Sequence, residues 1–250
     1  MEENSKILSI ITVVKNNKNN LEEIIKSIIP QKTPGIEYII IDGKSDDGTN
    51  EVIEKYKYKI DKVISEEDYG IYDAMNKGIL NSSGKIIGFC NSGDTIYPGG
   101  LDIVINNFKN KDIDVLFATV KRNYIGKTIV KTGFNEKRIF YNFDFATSHS
   151  TGFYVKKKVH NEIGLYDLNF KISSDYDFYF RMIKKKKYKI SSSEKDKIVG
   201  EMKSGGHSSK FPFIKHLNEE VRIRRKNKQN FILIIFIYIN SLLKNFKKIF

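Results

Sequence analysis

The sequence predicts an α/β fold in which helices flank a mostly parallel central sheet. Over the first hundred residues, apolar runs typical of buried strands alternate with amphipathic segments of about ten residues that are typical of helices. This order indicates βαβ units, whose parallel strands are covered on both faces. A hydrophobic content of 40% in 250 residues is enough for the core of one such domain.

The elements follow one another regularly up to about residue 110. The first helix begins at Asn19 or Asn20, either of which can cap it, and it ends before Pro30. Strands are predicted over residues 7–14, 37–41, 61–65 and 85–90. Further helices are predicted over residues 49–58, 71–80 and 99–108.

The pattern is less regular after this point. The predicted elements are a strand over 113–118, a polar hairpin or edge over 121–131, and helices over 157–163 and 175–184. We find no internal repeat. Residues 1–210 are therefore predicted to form one domain with halves 7–110 and 111–210, followed by a helical segment, 211–250.

This last segment carries the apolar stretch FILIIFIYINSLL at 231–243. A membrane-spanning helix needs about 20 apolar residues, so the stretch is too short to cross a bilayer. Basic residues precede it at 222–228 and follow it at 244–248. The pattern predicts a helix lying in the plane of an anionic membrane surface. The alternative is a helix packed on the rest of the chain or on a second subunit.

The net charge of +13 is compatible with nucleic acid, an acidic substrate or an anionic membrane as partner. The basic clusters all lie in the last third of the chain, which argues against a uniformly basic nucleic-acid-binding protein. The single cysteine, Cys90, excludes an internal disulfide and indicates a reducing compartment, and no zinc-ligand spacing is present. Because acidic residues stand where a signal peptide has positive charge, we expect a cytoplasmic protein.

Two phosphate-binding motifs are absent. Gly43-Lys44-Ser45 has the form of a phosphate-loop end, but that loop needs a glycine five positions before the Gly–Lys pair, where Tyr38 stands. The first strand is followed by Lys15-Asn16-Asn17 and not by a Gly-x-Gly-x-x-Gly turn. The sequence therefore excludes a P-loop NTPase and argues against a dinucleotide-dependent dehydrogenase.

Acidic residues instead follow three of the predicted strands. Asp42 ends the second strand, residues 66–68 follow the third, and Asp94 follows the strand at 85–90. Ligands of open α/β sheets bind at the carboxyl ends of the strands. Carboxylates there suit a base, a ribose and a divalent cation that neutralises a diphosphate. Each acid alone is equally well explained as a turn residue, but the three together favour a site.

The order of these segments resembles that of family 2 glycosyltransferases, of the colanic-acid or polysaccharide-biosynthesis type. The matching motifs are ITVVKNN (11–17), IIIDGKSDDGT (39–49), SEEDYGIYDAMNKGI (65–79), GKIIGFCNSGD (84–94), STGFYVKKKVHNEIGLYD (150–167) and SSDYDFYFRM (173–182). The resemblance covers about residues 7–205. It implies a GT-A fold and inverting transfer of a sugar from a nucleotide-diphospho-sugar.

The resemblance also implies roles for the acidic strand ends. Asp42 matches the acid that recognises a uracil-type base, and Asp94 matches the last acid of the metal motif that holds Mn²⁺ or Mg²⁺. Here the chain departs from the family pattern, because Asn91 and Gly93 stand where the motif has acids. The residues expected to contact or support the nucleotide-sugar are Val14, Asn16, Asp42, Asp68, Asn76, Lys77, Asn91 and Asp94.

Asp175 matches the catalytic base of the family. The competing carboxylate is Asp177, which on a helix points about 200° away from Asp175. His149 is a candidate acceptor-binding residue, and His207 is a candidate ligand of the diphosphate or metal. Tyr69, Tyr72 and Tyr154 are candidates for stacking on sugar, although aromatic side chains are more often part of a core.

The expected function is therefore transfer of a hexosyl or N-acetylhexosaminyl group from a UDP-sugar to a glycan or lipid-linked acceptor at the inner face of the cell membrane. A nucleotidyltransferase is one alternative, but it would need a Gly- and Arg-rich loop after the first strand. A non-catalytic basic module that binds membrane or nucleic acid is the other.

Overall fold

The computed structural model describes residues 6–91, 93–124, 126–141, 150–203 and 205–246. Its strands are β1 Leu8–Val14, β2 Ile36–Asp42, β3 Lys62–Ser65, β4 Ile86–Phe89, β5 Asp94–Ile96, β6 Val115–Phe117, β7 Thr119–Tyr124, β8 Lys127–Lys131, β9 Phe153–Lys156, β10 Ile190–Ser192 and β11 Ile198–Lys203. Its α-helices are α1 Lys18–Ile28, α2 Thr49–Tyr56, α3 Ile71–Asn81, α4 Gly100–Asn110, α5 Lys157–Ile163, α6 Ser174–Lys184, α7 Phe213–Lys226 and α8 Phe231–Lys244.

The central sheet of the described residues has the strand order β10-β6-β9-β4-β1-β2-β3. Its strands pair in parallel except β9, which is antiparallel to both β4 and β6. The predicted mostly parallel sheet flanked by helices is thus confirmed. A smaller sheet has the order β5-β11-β7-β8, and its β7–β8 hairpin lies at the position predicted for a polar hairpin.

Strand β1 is buried along its whole length because it lies between two hydrophobic clusters. Leu8 and Ile10 pack in the cluster that contains side chains of α1, α2 and α4. Ile11 and Val13 point to the opposite cluster, which contains side chains of α3 and α6. The alternation of a strand's side chains sends both sets into the core. Packing on both faces therefore holds β1, and with it the carboxyl end of the strand, in a defined position.

Helices α7 and α8 form the carboxyl-terminal part of the described chain. The side chain of Asn230 caps α8 by accepting a hydrogen bond from the backbone N–H of Leu233 at 3.2 Å. Ile234 and Ile237 are the buried residues of α8. Within the described residues, no helix combines the length and the apolar character that crossing a bilayer requires.

Candidate active site

The carboxyl ends of β1, β2 and β3 lie side by side. Val14 is paired with Asp42, and Asp42 is paired with Ser65. The backbone N–H of Gly43 donates to the carbonyl of Val14 at 2.8 Å, which continues the contact past the last strand pair. The register therefore brings together the strand ends at which the sequence predicts a site.

Asp42 is fully buried, and its carboxylate accepts hydrogen bonds from neighbouring residues of the protein. Oδ1 accepts the hydroxyl of Ser45 at 2.5 Å, and Oδ2 accepts the hydroxyl of Ser65 at 2.6 Å. The backbone N–H of Ser45 also donates to this carboxylate, at 3.2 Å from Oδ2. In this structure the carboxylate holds the turn after β2 against the end of β3. Contact of Asp42 with a base stays a prediction.

Asn16 is held on the same turn. Its backbone is in the left-handed region with φ 50°, which asparagine tolerates better than most residues. Its N–H donates to Oγ of Ser45 at 2.8 Å, and its Oδ1 accepts the N–H of Asp46 at 3.0 Å. Asn16 is exposed, so it forms part of the rim of the strand ends.

Asp68 reaches this turn from the loop after β3. Its Oδ1 accepts the backbone N–H of Gly70 at 2.9 Å. A Cβ atom placed on Gly43 would lie 2.1 Å from Oδ2 of Asp68 and 3.1 Å from Cδ of Lys15. The carboxylate of Asp68 therefore lies directly over the α-carbon of Gly43.

Asn76 and Lys77 on α3 form hydrogen bonds and an ion pair with segments that border the site. The side-chain amide of Asn76 donates to the carbonyl of Tyr166 at 2.9 Å and accepts the N–H of Tyr166 at 3.0 Å. The ammonium of Lys77 lies 2.9 Å from Oε1 of Glu66 and 2.5 Å from the carbonyl of Glu67. Both residues therefore fix loops at this edge of the sheet.

Asp94 lies at the start of β5 and is buried. Its Oδ2 accepts the hydroxyl of Ser150 at 2.5 Å and that of Thr151 at 2.8 Å. Burial raises the pKa of Asp94 to about 6, although these two hydrogen bonds favour the charged form. The side-chain oxygen Oδ1 of Asn91 is buried and has no hydrogen-bond partner among the described residues.

These oxygens fit a divalent cation that is shared with a diphosphate. Mg²⁺ and Mn²⁺ prefer oxygen ligands, and Mg²⁺ is commonly held by one or two carboxylates together with substrate phosphates. Asp94 supplies one carboxylate, and the unpartnered oxygen of Asn91 supplies a second donor. Within the described ranges, no group of three or more His, Cys, Asp or Glu side chains is arranged to hold a metal by itself. The donor set suits a cation brought by the nucleotide better than a site made of protein alone.

Asp175 lies in the first turn of α6 and is partly exposed. The hydroxyl oxygen of Tyr72 lies 3.0 Å from Oδ1 of Asp175 and 2.9 Å from the carbonyl oxygen of Ile172. Burial, with the negative charge of Asp175, raises the pKa of Tyr72 well above its ordinary value. Tyr72 therefore keeps its proton and is a hydrogen-bond donor at the candidate base.

Glu219 on α7 fixes the segment that leads into Asp175. Its Oε1 accepts the backbone N–H groups of Ile172 at 2.7 Å and Ser173 at 2.6 Å, and its Oε2 accepts that of Lys171 at 3.0 Å. We did not predict this role, because one glutamate in a charged helix carries no signal for it. A carboxylate that accepts three consecutive N–H groups holds the start of α6 in place.

The carboxylate of Asp177 is buried and bound by neighbouring side chains, which indicates a structural role. It is fully buried, and its carboxylate accepts Nε of Arg181 at 2.8 Å, Nζ of Lys226 at 3.0 Å and the side-chain amide of Asn227 at 2.9 Å. The two carboxylates of α6 are thus separated as the helix period predicts. Asp175 is the one that remains at a partly exposed position.

A cavity of about 280 Å³ lies next to Tyr72. It is lined by Tyr69, Gly70, Ile71, Tyr72, Asp73, Leu168, Phe170, Lys171, His207 and Phe211. Nε2 of His207 is 2.9 Å from the carbonyl oxygen of Lys171, so His207 belongs to this cavity wall. Metal binding by His207 stays a prediction.

Three further candidate residues differ in what the structure shows of them. Tyr154 is fully buried in the core and is not available to stack on a sugar, whereas Tyr69 is 82% exposed. His149, the predicted acceptor-binding residue, lies outside the described residues.

Comparisons with known proteins agree with the sequence motifs. The model of glycosyl transferase family 2 matches residues 9–189. An uncharacterized glycosyltransferase of Mycobacterium tuberculosis is 31% identical over 180 residues, which cover 70% of this chain and 68% of the relative. An uncharacterized glycosyltransferase of Rickettsia prowazekii is 28% identical over 190 residues; the match covers 72% of this chain but spans only 59% of that relative. TuaG of Bacillus subtilis, a putative teichuronic acid biosynthesis glycosyltransferase, is 34% identical over 92 residues, which are 35% of this chain and 36% of TuaG.

Solved structures of TarS from S. aureus have the same fold. The structure of TarS 1–349 in complex with UDP-GlcNAc has a TM-score of 0.70 and covers 96% of this chain and 73% of that one, at 18% identity. The complex with UDP has a TM-score of 0.68, covers 96% and 72% of the two chains, and is also 18% identical. At such low identity the likeness establishes the fold, which is the predicted GT-A-like α/β fold.

Proposed function

Because this chain belongs to glycosyl transferase family 2, whose model matches residues 9–189, we propose that it transfers a sugar from a UDP-sugar to a hydroxyl group of an acceptor. The group transferred is a hexosyl or N-acetylhexosaminyl residue, and the acceptor is a glycan or a lipid-linked precursor of a cell-surface polysaccharide. The main support is the family match together with the carboxylates at the sheet edge. The nucleotide-sugar complex of TarS, which has the same fold, supports UDP as the carrier.

The donor would lie across the carboxyl ends of β1, β2 and β4. Val14 and Asn16 border the nucleoside, and Asp42, whose carboxylate also holds the turn after β2, is the proposed acid at the base. The diphosphate would lie near Asn91 and Asp94. When bound there, Mn²⁺ or Mg²⁺ would stabilise the negative charge that the departing diphosphate acquires.

The transfer proceeds by direct displacement with inversion at the anomeric carbon. The acceptor hydroxyl oxygen forms a bond to that carbon as the bond to the diphosphate oxygen breaks, and UDP leaves with the bonding electrons. Asp175 takes the hydroxyl proton as general base. Tyr72 donates to Oδ1 and thereby restricts the orientation of the carboxylate. His149 and His207 are proposed to lie on the acceptor side and near the diphosphate, respectively.

The proposed lipid-linked acceptor and the composition of helix α8 both favour a protein that acts while bound to an anionic membrane surface. Phe231, Ile232, Phe236, Ile239 and Leu243 of α8 are all at least half exposed. Arg225, Lys228 and Lys244 beside them are exposed cations. Arg224, which the sequence placed in the same basic cluster, is fully buried and paired with Glu220 at 2.5 Å, so it does not contribute. We propose that α8 lies in the inner face of the cell membrane, with its apolar side chains among the lipids.

A panel of nucleotide-sugars with Mn²⁺ tests the proposed function. Wild-type protein is expected to release UDP slowly from one UDP-sugar, since water can replace the acceptor hydroxyl. Calorimetric titration with UDP and Mn²⁺ gives an independent measure of donor binding. Failure to bind UDP, with salt-dependent binding to RNA instead, would contradict a glycosyltransferase and favour a basic binding module.

A further inference from the structure

The cavity beside Tyr72 is lined mainly by rings and alkyl groups. Leu168, Phe170 and Phe211 contribute hydrocarbon to its wall, and the rings of His207 and Phe211 lie edge to face with their centroids 5.3 Å apart. Its volume of about 280 Å³ is near the lower limit of about 300 Å³ for small-molecule pockets. The cavity therefore has room for one part of a ligand and not for a whole glycan.

The polar groups of this wall bond largely to one another. The ammonium of Lys171 donates to the carbonyl oxygen of Tyr69 at 3.2 Å, and the carboxylate of Asp73 accepts the backbone N–H of Tyr69 at 3.0 Å. Asp73 also pairs with Lys77 at 3.3 Å, and Nε2 of His207 lies 2.9 Å from the carbonyl oxygen of Lys171. A sugar ring placed here would leave hydroxyl groups without partners, which costs free energy when the groups are buried. The wall suits hydrocarbon better.

Tyr72 connects the cavity to the proposed base. Its ring lines the cavity, and its hydroxyl oxygen lies 3.0 Å from Oδ1 of Asp175. The wall also includes Lys171, whose backbone N–H is held by Glu219 together with the next two N–H groups of the chain that leads to Asp175. A group bound in the cavity would therefore lie close to the carboxylate that is proposed to take the acceptor proton.

The wall is continuous with the part of the chain that is proposed to lie at the membrane. Phe211 comes two residues before α7, and α7 leads into α8, which carries the exposed apolar side chains Phe231 and Phe236. An apolar cavity beside the base and an apolar face on α8 both fit a substrate that resides in lipid.

We infer that the cavity holds the apolar group of a lipid acceptor whose reactive hydroxyl is at most one sugar away from that group, an inference that rests on the proposed function. Because the cavity adjoins the base, hydrocarbon bound there and the hydroxyl at Asp175 belong to neighbouring parts of one molecule. A longer glycan between them would keep the hydrocarbon out of the cavity. The acceptor is thus an apolar alcohol or a lipid with a single sugar, and not a free polysaccharide.

Calorimetric titration of the UDP-bound full chain with two alkyl glucosides tests this inference. n-Hexyl β-glucoside and methyl β-glucoside carry the same sugar and differ only in the length of the alkyl chain. Wild-type protein is expected to bind the hexyl compound at least tenfold more tightly, because its chain leaves water for the cavity. Equal affinities for the two compounds would overturn the inference.

Two variants locate the bound alkyl chain. Phe211→Ala removes a ring from the wall, and Leu168→Asn places a polar group there at similar size. Both residues are partly exposed, so the fold should be retained, as the melting temperature will show. In each variant the hexyl-to-methyl preference should fall to about threefold or less, with UDP affinity unchanged. A preference that both variants keep would place the alkyl chain elsewhere and overturn the inference.

Phe108→Ala is the matched control. Phe108 is also partly exposed, but it lies on α4 and packs against the hydrophobic cluster on the other face of the sheet. This variant should keep the full preference for the hexyl compound. If it loses the preference as the cavity variants do, the effect is not specific to the cavity and the inference fails.

The rate of UDP release from the preferred UDP-sugar shows whether the occupied cavity adjoins the base. Saturating hexyl glucoside should raise this rate if its own hydroxyl attacks, or lower it if the compound excludes water from Asp175. An unchanged rate would overturn the inference and leave the transferase proposal intact. If wild-type protein does not bind UDP, the proposed function fails, and the inference that rests on it fails as well.

Discussion

The hydroxyl of Tyr72 and the carboxylate of Asp175 form a hydrogen bond of 3.0 Å that joins α3 to the first turn of α6. The two residues are 103 positions apart in sequence. Tyr72 also lines the cavity beside this carboxylate. The contact therefore links the proposed base to a side chain in the wall of this cavity.

Tyr72→Phe removes this donor and keeps the ring. We expect the turnover number to fall by about ten- to a hundredfold, because a hydrogen bond to a charged group contributes roughly 1.5–3 kcal/mol. The dissociation constant for UDP should not change, since Tyr72 is assigned no contact with the nucleotide. Steady-state kinetics with calorimetry measures both. Loss of UDP binding with unchanged turnover would contradict this assignment.

Glu219→Gln tests the support of the loop before α6. The amide keeps one acceptor oxygen but places an NH₂ group against a backbone N–H, at a side chain that is only 7% exposed. We expect a loss of about 1–3 kcal/mol in the free energy of unfolding, together with lower turnover. Chemical denaturation and kinetics measure the two effects. The matched control is Glu51→Gln, an exposed glutamate of α2 paired with Lys18, which should change neither quantity measurably.

The free energy of unfolding should depend on pH through the titration of Asp94. Its pKa is raised from 3.8 to about 6 in the folded state, so the native protein holds this proton more tightly than the unfolded chain does. The stability contributed by Asp94 is thus fully present below about pH 4 and is lost as the pH rises through about 6. Asp94→Asn should therefore be more stable than wild type at pH 7.5, by up to about 2–3 kcal/mol, and show little advantage at pH 4.

Urea unfolding of both proteins at the two pH values measures this difference. The same variant should lose the Mn²⁺-dependent part of UDP binding, because the carboxylate is the charged donor of the proposed cation site. A difference in stability that does not change with pH would refute the assignment of the raised pKa to Asp94.

Membrane binding should depend on the exposed face of α8. Replacing Ile232 and Phe236, which are 77% and 66% exposed, by glutamate should abolish flotation with vesicles of phosphatidylcholine and phosphatidylglycerol. Burial of one large apolar side chain contributes roughly 1.5–3 kcal/mol, so two losses and two added negative charges are sufficient. Tyr58→Glu, at an exposed aromatic residue outside α8, is the control. Undiminished flotation of the double variant would rule out this face as the membrane contact.

The sequence predicted those parts of the fold that have a strong local pattern. β1 to β4 and helices α1 to α3 are apolar runs or amphipathic segments between clear turn signals, and the structure has them close to the predicted bounds. The strands β5, β9, β10 and β11 were missed. Each is short or only partly buried, and pairing with strands distant in sequence is what defines it.

The site was predicted in outline because parallel strand ends must meet at one edge of the sheet. The preference for Asp175 over Asp177 rested largely on the family resemblance, while the helix period predicted that the two side chains point in different directions; the full burial of Asp177 agrees with that separation. The two serine hydroxyls that enclose the carboxylate of Asp42 were not predicted, since the local pattern indicates the end of a strand but not its tertiary hydrogen bonds. Glu219 and the approach of Asp68 to Gly43 depend on tertiary contacts, which no local pattern contains.

The most direct test of the central claim is UDP release from the preferred UDP-sugar by wild-type protein and by Asp175→Asn. We expect the variant to bind UDP and Mn²⁺ as wild type does but to release UDP at least a hundredfold more slowly, because general-base catalysis typically contributes about 10²–10⁴-fold. Release at the wild-type rate by a folded Asp175→Asn protein would show that Asp175 is not the base.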